Sequence, residues 1–123
     1  PDVTIASIIC GLLIDTLLVV NNYRDREADA RSGKRTVIVR FGEKFGRYFY
    51  LLLGISASLL CLYFLHEGHI YAALLPQFYL VPHVLTWRRM VKIHSGKKLN
   101  SILGETSRNM LFMGILLAIG MIL

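Results

Sequence analysis

The chain has 123 residues, 54% of them hydrophobic, with a mean hydropathy of +0.52 and a formal net charge of +6. Its apolar residues collect into four blocks separated by short polar segments, a pattern that excludes an ordinary soluble domain. The surplus of positive charge does not point to nucleic acid, because the basic residues flank apolar spans and have no scaffold outside the membrane to present them.

The expected fold class is all-α, a polytopic transmembrane helical bundle with four spans. The chain opens on Pro1-Asp2 without a methionine or a signal-peptide pattern. It therefore reads as a piece of a longer membrane chain whose N-terminal part is missing. Cys10 and Cys61 lie in different apolar runs and are read as packing residues, without a disulfide or a zinc site.

The first predicted span covers residues 3–20, with Ser7 and Gly11 at the spacing that lets helices approach closely. Asp15 interrupts it. An aspartate at the centre of a span costs about 2.5–3.5 kcal/mol on insertion scales, so it should face a wet cavity or a polar partner on another helix. If the helix continues through residues 21–31, Asp15, Asn22, Asp25 and Asp29 share an arc of roughly 80°, while Arg24, Glu27 and Arg31 point nearly the opposite way. Two carboxylates one turn apart can hold a hard cation such as Mg²⁺, which often shares its oxygen ligands with a substrate's phosphates. Ser32-Gly33 should end this helix, and Lys34 and Arg35 follow as cations able to meet a phosphate. By spacing alone, a solvated, charge-flanked helix terminus remains an equal alternative.

Residues 21–47 read as a cytoplasmic active-site loop, in which Thr36 opens a short apolar piece that stops at Gly42 and suits a helix lying in the interface. The second span, residues 48–65, is free of charge and repeats the small-residue spacing at Gly54 and Ser58. His66-Glu67-Gly68-His69 makes a tight reversal and is read as solvated loop. The third span, residues 70–87, contains Pro76 and Pro82, and His83 is expected to bond across helices. Tyr79 and Trp87 suit interface or pocket-wall roles equally. A second basic connection carries Arg88, Arg89, Lys92, Lys97 and Lys98. The last span covers residues 101–123, with Glu105 and Arg108 at headgroup level and Gly114 and Ala118 as a packing face.

Eight of the fourteen lysines and arginines lie between residues 24 and 47, five between 88 and 98, and the last is Arg108. With four alternating spans all of them fall on one side, and the positive-inside rule makes that side cytoplasmic. A cytosol-facing cavity with a carboxylate-bound Mg²⁺, phosphate-pairing cations and apolar walls fits a substrate with a diphosphate head and a hydrocarbon tail.

N-N-Y-R-D-R-E-A-D-A-R-S-G-K-R-T, followed by V-I-V-R-F-G, resembles the second aspartate-rich motif of the UbiA superfamily of intramembrane aromatic prenyltransferases. Within it, the motif is most similar to that of the 1,4-dihydroxy-2-naphthoate polyprenyltransferases of menaquinone synthesis. The resemblance implies that Asp25 and Asp29 are the metal-binding and catalytic carboxylates. It also implies that Asn21, Asn22, Arg24, Lys34 and Arg35 help bind the Mg²⁺–diphosphate group. Such enzymes have about nine membrane-length spans and an earlier aspartate-rich motif on the opposite wall, which this chain lacks. By resemblance, then, this is the C-terminal part of a single prenyltransferase domain in the cell (inner or plasma) membrane. Its partners are a polyprenyl diphosphate, 1,4-dihydroxy-2-naphthoate, membrane lipid and the missing N-terminal spans; the whole enzyme releases diphosphate and carbon dioxide, and the fragment alone is inactive. Competing readings are a different aromatic acceptor such as 4-hydroxybenzoate, a transporter or channel segment with an acidic cation path, and a structural membrane subunit.

Overall fold

The computed structural model describes residues 2–123, and every element in it is helical. The chain runs through α1 (Asp2–Arg24), α2 (Arg26–Ser32), α3 (Val37–Phe41), α4 (Glu43–Cys61), α5 (Tyr63–His66), α6 (Ile70–Leu74), a 3₁₀ turn (Leu75–Tyr79), α7 (Leu80–Ile93) and α8 (Leu99–Ile122). At 1.5 Å per residue the 23 residues of α1 measure about 35 Å, enough to cross a hydrocarbon core of about 30 Å. Three stretches are long and apolar enough to span: Val3–Arg24, Glu43–His66 and Leu99–Ile122. The fold is a membrane helical bundle.

The predicted third span needs correction. Residues 70–87 do not form one uninterrupted helix; Pro76 stands in the first turn of a 3₁₀ segment that separates α6 from α7. Proline has no N–H to give and its ring crowds the preceding turn, so the chain tightens locally instead of continuing as α-helix. Gln77 stitches the interruption by donating from Nε2 to the carbonyls of Ser58 and Ala73, at 2.8 and 2.9 Å.

α1 packs against α4 and α8, and the α6–α7 segment closes the ring by packing against the same two helices. One apolar core gathers Ile9, Leu13, Ala57, Phe64, Ala72 and Met113; the other, nearer the acidic motif, gathers Val20, Tyr23, Ile38, Tyr50, Met90 and Ile102. Between them lies a polar seam. His83 is fully buried, sandwiched between the rings of Tyr50 and Tyr79 at 4.9 and 5.1 Å. Its Nε2 meets the carbonyl of Leu51 at 3.2 Å, which fixes the proton on that nitrogen and leaves Nδ1 to accept from the Tyr79 hydroxyl at 3.1 Å. His83 therefore bonds across helices, as expected from the sequence. Asn109 donates to Thr86 at 2.9 Å, Thr86 donates to Glu105, and Glu105 pairs with Arg89. Such intramembrane bonds average only about 0.6 kcal/mol each, so close packing has to contribute as well.

That packing uses some predicted small residues and not others. Gly54 and Ser58 are buried, and a Cβ on Gly54 would stand 2.1 Å from His83 Nε2. Gly11, Gly114 and Ala118 are exposed, and a Cβ on either glycine would meet nothing within 4 Å. On α8 the close approach is made by Gly120, where a Cβ would come within 2.6 Å of the Ala72 backbone.

Candidate functional site

The predicted helix through the acidic motif is interrupted after Arg24. Asp25 takes φ −92°, ψ 5°, and α2 starts at Arg26. The axis nearly continues, because Asp25 N–H donates to the Asn21 carbonyl (3.2 Å) and Asp29 N–H to the Asp25 carbonyl (2.8 Å). The two aspartates thus remain one turn apart. Gly33, at φ 83°, caps α2 rather than α1, so Ser32-Gly33 ends the second helix and not the first.

Arg26, the first residue of α2, anchors the segment that follows the interruption. Its guanidinium is buried, donates to the Tyr23 carbonyl (2.8 Å) and to the His94 carbonyl (2.8 Å), pairs with Glu43 (3.1 Å), and lies over the Tyr23 ring at 4.3 Å. A buried guanidinium is tolerated where carbonyls, a carboxylate and an aromatic face satisfy it together. His94 Nε2 meets the other Glu43 oxygen at 3.1 Å. One side chain thereby ties the end of α1, the start of α4 and the loop after α7.

Arg24 does not point away from the aspartates as an unbroken helix would require. Its Nε and Nη2 fork the Asp25 carboxylate at 2.9 and 3.2 Å, Nη2 also donates to Asn21 Oδ1 (2.7 Å), and Nη1 donates to Asn100 Oδ1 (3.0 Å). The Arg24 hydrogen bond holds the Asp25 carboxyl below the usual carboxylate range. Asp29 is half-buried, and its Oδ2 has no hydrogen-bond partner among the described residues. A buried carboxylate oxygen left without a donor is rare in a settled fold and is available to a cation.

Asp15, Asn22 and Asp25 of the acidic stripe border two clefts. Asp15 and Asn22 line a small one, about 200 Å³, with Val37, Ile38 and Phe49. Asp25 borders another, about 560 Å³, with Arg24, Arg31, Lys97 and Asn100. Lys34 and Arg35 sit beyond α2 in a third, about 350 Å³, with Arg40; the Lys34 charge still reaches Asp25 and adds to the lowering of its pKa. The seven residues singled out by sequence therefore share one end of the bundle but not one wall. α3 is capped as expected, with Thr36 Oγ1 accepting from Val39 N–H at 3.2 Å, and its Ile38 is buried against α1 and α4.

Sequence reasoning missed Arg26, Lys97 and Asn100. No local pattern marks Asn100, which is 76 positions from its partner Arg24. Arg26 lies inside the motif, but nothing in its spacing assigns it a role.

A model of the UbiA prenyltransferase family matches residues 1–116. The chain is 39% identical over 62 residues to the 1,4-dihydroxy-2-naphthoate octaprenyltransferase of Escherichia coli, a match over 50% of this chain and 20% of that protein. It is 45% identical over 51 residues to the protein of the same description from Haemophilus influenzae, over 42% of this chain and 16% of that protein. No solved structure matches.

Proposed function

The chain belongs to the UbiA prenyltransferase family, and on that premise we propose that it supplies one wall of a membrane site for polyprenyl transfer. The donor is a polyprenyl diphosphate, the acceptor is 1,4-dihydroxy-2-naphthoate, and diphosphate and carbon dioxide are released on the way to menaquinone. The observation that carries this reading is the pair Asp25 and Asp29, one turn apart at the end of a membrane-spanning helix, with an unpartnered buried oxygen on Asp29.

The donor set suits Mg²⁺: carboxylate oxygens with no sulfur or imidazole beside them, too few to complete a cage without phosphate oxygens. Asp25 and Asp29 would hold the ion, which when bound offsets the charge growing on the leaving diphosphate. The chain's own part is to orient and to shield. Arg24 fixes the Asp25 carboxylate and Asn21 fixes Arg24. Lys34 and Arg35 add positive charge beyond α2, and Asn22 extends the polar stripe along α1. The apolar walls of α1 and α8 accommodate the hydrocarbon tail and keep water from the allylic cation left by ionisation. The distribution of lysine and arginine supports a cytoplasmic site.

The test is an assay of the full-length protein in membranes with labelled polyprenyl diphosphate and candidate acceptors, with and without Mg²⁺. Mg²⁺-dependent label on the naphthoate is the expected result. Label on 4-hydroxybenzoate instead would change the acceptor. Ion flux in liposomes with no dependence on prenyl diphosphate would overturn the enzymatic reading.

A further inference from the structure

The loop joining α7 to α8 stands over the aspartate segment because Arg26 holds it there through the His94 carbonyl. His94 takes φ 69° and Gly96 φ 94°, and the Leu99 N–H then donates to the Gly96 carbonyl at 3.1 Å to start α8. This turn brings Lys97 to the cleft that Asp25 borders. Lys98 does not line it.

Any anion entering the cleft has to be met by donors not already in use. Arg24 makes four hydrogen bonds, to Asp25 twice, to Asn21 and to Asn100, and so commits four of its five N–H donors inside the protein. It serves as a strut for Asp25 more than as a phosphate ligand. Lys97, by contrast, makes no ion pair among the described residues, and neither does Arg31, which lines the same cleft from α2. An ammonium on a flexible stem, lining the same cleft as one carboxylate of the proposed cation-binding pair, is suited to an oxyanion that arrives with its own metal.

We infer that Lys97 is a diphosphate-binding residue, reaching the substrate's phosphate oxygens from the α7–α8 loop that borders the Asp25 cleft. This rests on the proposed prenyl-transfer reading and adds to it a residue from outside the aspartate-rich motif. Lys97 donates to the phosphate oxygens in the ground state as well as during ionisation, so its loss acts more on substrate binding than on turnover.

The probe is inorganic pyrophosphate with Mg²⁺, titrated calorimetrically into the full-length enzyme in detergent, with prenyl-transfer kinetics alongside. Lys97→Gln should weaken pyrophosphate binding about tenfold, as expected for one lost charge-assisted hydrogen bond, and raise KM for the prenyl diphosphate while kcat changes little. Lys97→Arg should recover most of the affinity, and Lys98→Gln should leave it unchanged. Wild-type pyrophosphate affinity in Lys97→Gln, or an equal loss in Lys98→Gln, would overturn the assignment while leaving the reaction intact. If the unmodified enzyme binds no pyrophosphate, the prenyl-transfer reading falls together with it.

Discussion

Both oxygens of Asp25 are held by the guanidinium of its immediate neighbour Arg24, at 2.9 and 3.2 Å. Adjacent residues on an unbroken helix point about 100° apart, so this fork depends on the interruption at Asp25. The pair orients the Asp25 carboxylate and favours the ionised form that the proposed reaction needs.

Removing the fork should therefore move a pH limb. The Asp25 carboxyl is depressed in the folded protein, so the Arg24–Asp25 attraction is present above the ordinary carboxylate range and is lost as pH falls through the lower, folded value. In Arg24→Gln the acid limb of kcat/KM should shift upward toward an ordinary carboxylate, with activity lowered at every pH. An unchanged acid limb in that variant would show that Asp25 is not the group being titrated.

Asp25→Asn and Asp29→Asn in the full-length protein should each cut turnover by on the order of 10²-fold or more, the scale of losing one electrostatic stabiliser. Thermal unfolding should stay near the parent's, since each change is nearly isosteric. Chelation of Mg²⁺ should abolish the parent's activity and readdition should restore it. Parent-like rates in both variants would remove the metal-binding role.

Gly54 faces the His83 ring so closely that a methyl group cannot be added without displacing one of them. Gly54→Ala should cost about 1–3 kcal/mol, the usual penalty for overpacking, read as earlier thermal unfolding in detergent. Combining it with His83→Ala should cost less than the two single changes together, because the clash is gone. Strict additivity would mean that the two residues do not touch.

Arg26→Ala should free the loop after α7. Two carbonyls lose their donor, at about 1–3 kcal/mol for each one left buried and unsatisfied. Limited proteolysis should then cleave near residues 94–97, where the parent resists. Arg26→Lys should rescue only partly, since an ammonium lacks the planar fork that reaches Tyr23, His94 and Glu43 together. Equal resistance in parent and Arg26→Ala would place the loop's anchor elsewhere.

Much of this architecture is legible in the sequence because apolar block length and small-residue spacing are local signals. The Thr36 cap, the stop at Gly42 and the buried pair Gly54 and Ser58 all follow from such signals. Pro76 marked a place where a helix falters, but not that five residues would tighten into a 3₁₀ turn. The break at Asp25 has no local mark: R-D-R-E-A-D continues a helical pattern, and the segment after it is anchored by Arg26 to a carbonyl 68 positions away. For the same reason the facing of Arg24 was misjudged, and the lysines of the second basic connection read only as membrane flanks. Gly114 and Ala118 show the opposite failure, packing spacing on a face of α8 that is exposed in this chain.

The anchoring of residue 94 to the acidic segment has a thermodynamic corollary. Two events that help each other do so by equal amounts, so if the fastened loop tightens the grip on an anion, the bound anion must tighten the fastening by the same free energy. Amide hydrogens at residues 95–97 should thus exchange more slowly as pyrophosphate saturates the enzyme. Severing Arg26 would abolish that slowing along with the share of the affinity that the coupling supplies.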